Sequence, residues 1–251
     1  MVKARRGLLL SLLTLLVAIV VTTTSTYAWF AMNSSVSATN MQVTVVADKD
    51  YLIISNTAPA SGKFTADDVG TTTLASVAAN TEVLPTRLKS GSTTTSNMTW
   101  QTATGTSIND GSAKDNAYTD ITSGINKYVV QYSFWIGLNP TYSAVNASNL
   151  KITNVELTKV GSASNEFLNA VSFVVVCDDA VKDNYFNEET DDSLAAKDTV
   201  LAATINKDGT PVKVDVYVYI NGDNANVKSA NATKLGGYTL ALTFGVTPDA
   251  A

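Results

Sequence analysis

Seven carboxylates, Asp178, Asp179, Asp183, Glu188, Glu189, Asp191 and Asp192, make the densest group of side chains in this chain that could do chemistry. Oxygen donors of this kind suit calcium, a hard cation. The stretch lacks the ordered DxDxDG spacing of a calcium-binding loop, and charge runs ordinarily solvate a surface. A solvated acidic loop between strands is therefore the favoured reading, and calcium a weak alternative. Cys177 stands directly before it, closing the apolar run VSFVVVC. A thiol attacks only as the thiolate, and the chain contains no histidine to lower its pKa. The same absence removes the usual general base, the Ser-His and Cys-His pairs, and the HExxH zinc site. No phosphate-cradling or dinucleotide glycine pattern occurs either. These residues predict a chain that is not an enzyme, carries no cofactor, and uses Cys177 as a small core residue.

The elements that would position such residues begin with an export segment. Lys3, Arg5 and Arg6 precede an uncharged stretch of 14 residues, 8–21, which has the length of a signal-peptide core and is short for a membrane span of roughly 20 residues. Thr26 and Ala28 then occupy the small-residue positions that a signal peptidase reads, so cleavage is expected between Ala28 and Trp29. If the threonines count as membrane-compatible, the apolar segment extends over residues 8–32, and an uncleaved membrane anchor is the alternative. The expected organisation is a signal peptide or anchor at 1–28, a mature N-terminal segment at 29–40, and a single β-sandwich domain at 41–251.

Composition narrows the class further. Of 251 residues only 16% are charged, against about 25% in an ordinary globular protein, so the polar surface is built mainly from Ser, Thr, Asn and Gly. A formal net charge of −5 repels phosphate backbones, which excludes nucleic acid as a partner. With one cysteine there is no intrachain disulfide, and the core alone has to hold the fold.

Alternation of apolar and polar residues with period 2 dominates the body. In residues 212–220 every second side chain (Val212, Val214, Val216, Val218, Ile220) is aliphatic, and Lys213, Asp215, Tyr217 and Tyr219 take the other face of a half-buried strand. Residues 238–246 and 128–138 repeat the pattern, and 41–45, 51–54, 150–157, 171–177 and 200–205 are further strand candidates. Asn221-Gly222-Asp223 and Lys207-Asp208-Gly209 predict turns between neighbouring strands. No segment outside the leader has a convincing helical period; the best, 192–197, is a turn or two. The expectation is an all-β fold, an antiparallel, jelly-roll-like β-sandwich preceded by a hydrophobic signal or anchor helix. Residues 56–126, rich in Thr, Ser, Gly and Asn, read as long surface loops with one or two short strands. Register changes near Thr39-Asn40, and residues 29–38 ahead of it are apolar without an evident partner.

The segment TSTYAWFAMNSSVSATNMQVTV resembles the start of exported proteins of the TasA and camelysin group, whose leader ends in a Thr-aromatic-Ala-aromatic-Phe block matched by Thr26, Tyr27, Ala28, Trp29 and Phe30. The C-terminal segment KVDVYVYINGDNANVKSANATKLGGYTLALTF is similar to the closing hairpin of related bacterial surface proteins. The likeness covers the two ends of the chain and not its middle. It implies a jelly-roll domain, dedicated signal-peptidase processing, a cell-surface or biofilm-matrix location and, as in some members, fibres joined by donated N-terminal strands. The metalloprotease activity ascribed to camelysin-like members is not expected of a chain without histidine.

The function expected is therefore that of a structural fibre subunit. Its N-terminal strand, through Trp29, Phe30, Met32, Val36 and Ala38, would add to the open sheet of another copy, and this head-to-tail contact would propagate as a filament. The membrane is a partner during export. One alternative is a membrane-tethered module that binds an extracellular ligand through the 56–126 loops. Another is a pilin-like subunit that keeps residues 8–32 as an assembly helix, although the usual acidic residue early in such a helix is missing.

Overall fold

The computed structural model describes residues 41–47, 51–65, 73–75, 83–103, 118–140, 145–160, 165–185, 199–224, 227 and 237–249. The leader, the 29–40 segment, the 192–197 segment and Glu188, Glu189, Asp191 and Asp192 lie outside them. In chain order the strands are β1 (Gln42–Ala47), β2 (Leu52–Ser55), β3 (Thr73–Ala75), β4 (Arg87–Leu88), β5 (Trp100–Ala103), β6 (Tyr118–Asp120) and β7 (Val129–Leu138). There follow β8 (Ala147–Val160), β9 (Val171–Cys177), β10 (Ala180–Tyr185), β11 (Val200–Ile205), β12 (Val212–Ile220) and β13 (Gly237–Pro248). Two short 3-10 turns, Ile125–Lys127 and Asn165–Ala170, are the helical elements among the described residues. No helix among those residues is long and apolar enough to cross a membrane.

The strands form two five-stranded sheets and one of three strands. The first sheet has the order β11-β8-β13-β1-β3, the second β10-β9-β12-β7-β2, and the small third sheet β4-β5-β6. Every pairing among them is antiparallel except that of β1 with β13. Alternation places Val43, Val45, Leu240, Leu242 and Phe244 of the first sheet, and Phe134, Ile136, Phe173, Val214 and Val216 of the second, in one buried core. The rings of Phe134 and Phe244 meet edge to face across it, 5.5 Å apart. The molecule is thus an all-β sandwich.

Three expectations are corrected. The Thr-rich 56–126 region holds four short strands among its described residues rather than one or two: β3 joins the first sheet, and β4, β5 and β6 form a sheet of their own. That small sheet lies on the outer face of the second, where Trp100 packs edge-on against Tyr219 at 5.0 Å and beside Tyr217 at 6.2 Å. With Val129, Val174 and Val176 these residues make a second buried cluster. Consequently β12 is not half-buried; Asp215, Tyr217 and Tyr219 on its outer face are buried as well. Finally, Asn221-Gly222-Asp223 and Lys207-Asp208-Gly209 do not join paired neighbours. Each carries the chain from one sheet to the other, so β12 and β13 are not a hairpin.

Cys177 sits at the end of β9 with 1% of its surface exposed. Burial, with the Asp178 charge adding, pushes its thiol from an ordinary 9.0 up to about 12. Burial likewise raises the Tyr217 phenol from 10.0 to about 12. Both pKa values are raised in the folded state, so their contribution to stability is whole below about pH 9 and is lost as pH climbs toward about 12. A thiol reagent at neutral pH should therefore modify Cys177 only after denaturant unfolds the chain. Prompt labelling of the folded protein would contradict the burial.

Candidate strand-acceptor edge

A sheet edge is chemically active in its own way, because it presents backbone N–H and C=O groups with no ladder partner. β7 has ten residues and pairs with β12 along Val129–Ile136. On its other side β2 covers only four residues, from Trp135 to Leu138. Six residues, 129–134, have no described strand on that side. Phe134 is fully buried, whereas Val130 and Tyr132, on the same face, are only partly covered by the core they pack against. The Tyr132 ring lies 5.7 Å from that of Phe134, and burial raises its phenol pKa. Among the described residues, this half of β7 therefore has an apolar floor and no ladder partner on the β2 side; just ahead of it the Leu84 N–H donates to Lys127 O at 2.7 Å.

A second long edge supplies the contrast. β11 pairs with β8 only along residues 147–151, so on that side residues 152–160 have no described strand either. This edge carries Glu156 and Lys159, and the pairing of β8 with β13 skips Thr153. Asn149 on the same strand adopts a left-handed φ of 56°. Charges and bulges are the usual devices that keep an edge from pairing with another chain. Residues 129–134 of β7, Val-Val-Gln-Tyr-Ser-Phe, have none of them. At its covered end the fit is close instead: a Cβ on Gly137 would stand 2.7 Å from the Phe64 ring, so only hydrogen fits there.

Among the residues singled out in the sequence, Thr26, Ala28, Trp29, Phe30, Met32, Val36 and Ala38 lie outside the described part of the chain. Asp178 and Asp179 form the hairpin turn between β9 and β10, with left-handed φ values of 46° and 69°. The backbone N–H of Lys213 donates to Asp178 Oδ1 at 3.2 Å, and the Thr95 hydroxyl donates to Asp179 Oδ1. These two carboxylates are tied to the small-sheet loop and to β12, and Asp183 lies within β10 rather than in a loop. Among the described residues, no three His, Cys, Asp or Glu side chains stand together as metal ligands.

The polar region does contain a groove of about 390 Å³, lined by Arg87, Lys89, Ser90, Ser92, Val181 and Asp223. Its cations are already engaged. The Arg87 guanidinium lies 3.1 Å over the Tyr118 ring and 3.6 Å from Asp223. Lys89 reaches Asp120 at 2.8 Å, and this hydrogen bond together with one from Gln101 lowers the Asp120 pKa. Sequence reasoning missed both the half of β7 that β2 leaves unpaired and this groove. Periodicity assigns faces and says nothing about which strand lies beside which. No known protein family, characterised protein or solved structure matches this chain.

Proposed function

We propose that this protein is a non-catalytic extracellular structural subunit, of the kind its N-terminal resemblance implies, that assembles by strand addition. The fold is read as a jelly-roll-like sandwich behind a hydrophobic signal or anchor helix. The chain's repeated passage between sheets, from β7 to β8, β8 to β9 and again from β10 through β13, supports that topology. In the mature chain, residues 29–38 of one copy lie along the half of β7 that β2 leaves unpaired in the next. The observation that carries the reading is a run of six residues with no partner strand among the described residues on that side, no charge and no bulge, over a partly exposed apolar floor. An edge left in that state by a soluble monomer would be an aggregation liability, and a dedicated strand removes it. Because donor and acceptor are different surfaces, the contact does not close on itself and extends as a filament.

Purified mature chain beginning at Trp29 is expected to form fibres in negative-stain micrographs. Removal of residues 29–38 should leave monomers with the same β-rich circular dichroism. Monodisperse monomers from the intact mature chain would sink the proposal.

A further inference from the structure

The seam between the small sheet and the sandwich contains three buried polar atoms without a hydrogen-bond partner: Trp100 Nε1, Thr102 Oγ1 and Ser172 Oγ. They lie on the two surfaces that face each other there. Trp100 and Thr102 are two residues apart on β5 and so share a face. Ser172 is the cross-strand neighbour of Tyr219, whose ring meets Trp100 edge-on at 5.0 Å. Trp100 is 2% exposed and Ser172 fully buried, so no sizeable ligand reaches this place from solvent.

Buried polar atoms in folded proteins are almost always paired, either with protein or with an ordered water. An indole N–H only donates, whereas each hydroxyl donates and accepts, a set that complements the two donors and two acceptors of a water molecule. We infer that the seam is a hydration site: an internal water accepts from Trp100 Nε1–H and bonds the Thr102 and Ser172 hydroxyls. It would join β5 to β9 beside the direct backbone bonds from Thr86 N–H to Ile220 O and from Gly222 N–H to Thr86 O, and so help to fix the small sheet on the sandwich. This does not depend on the assembly proposed above.

Two measurements on the full chain decide it. A crystal structure at about 1.5 Å or better should show an ordered peak within hydrogen-bond distance of at least two of the three atoms. A seam closed and dry at that resolution overturns the inference. In urea unfolding, Ser172→Ala should lower the midpoint with an unchanged slope, because it deprives a bound water of a partner. In a dry seam the same substitution deletes an unsatisfied hydroxyl, so a midpoint that stays level or rises overturns the inference as well.

Discussion

Phe134→Ala is expected to destabilise the chain by about 3–5 kcal/mol, read as a fall in urea midpoint at constant slope. Phe134 is fully buried, and its ring touches Tyr132 on its own strand and Phe244 of the opposite sheet. Truncation removes the transfer energy of a whole aromatic side chain and leaves a cavity between two sheets that are stiff on both sides. The space cannot collapse cheaply, because Ile136 and Val214, also fully buried, already fill the positions around it. The neighbouring exposed substitution Gln131→Ala serves as a control and should change stability by less than about 0.5 kcal/mol. A loss below about 1 kcal/mol for Phe134→Ala would mean that the two sheets do not share the core described here.

The sandwich was legible in the sequence to the extent that one face of each strand differs from the other. β9, β11 and β12 run over the same residues as the strand candidates 171–177, 200–205 and 212–220, because Val and Ile recur there between clear turn residues. β8 and β13 are longer than their apolar alternation, since hydrogen bonding continues into polar residues that no periodicity marks. The small sheet was hidden for a different reason. Its strands are two to four residues long, too short for a period to register. A clue did exist: the outer face of β12 carries Tyr217 and Tyr219, larger and more apolar than a solvated face requires, and Trp100 stands in an otherwise polar stretch. Two aromatics without a stated neighbour and one aromatic without a stated core belong together. For the acceptor edge, the available sign was the run from Tyr128 to Phe134, which contains no charged residue.

A disulfide between Met32→Cys and Tyr132→Cys should link successive copies into a ladder of dimers, trimers and longer species on a non-reducing gel. The register follows from faces. Val130, Tyr132 and Phe134 point toward the core, and residues directly opposite in an antiparallel pair share a face. Of residues 29–38, the even-numbered phase holds Phe30, Met32, Val36 and Ala38, and setting its bulkiest members over the floor puts Met32 opposite Tyr132 and Phe30 opposite Phe134. Opposed Cβ atoms then stand about 4.5–5.5 Å apart, close enough for a disulfide after small adjustment. Cys177 does not compete, being buried and weakly acidic. Each single variant should run as a monomer. The double variant separates two ways of filling the same slot, since a strand that folds back on its own β7 yields a cross-linked monomer, whereas a donated strand yields the ladder. The fast-migrating monomer alone would show that the edge is closed from within, and filament growth through it would then have no physical basis.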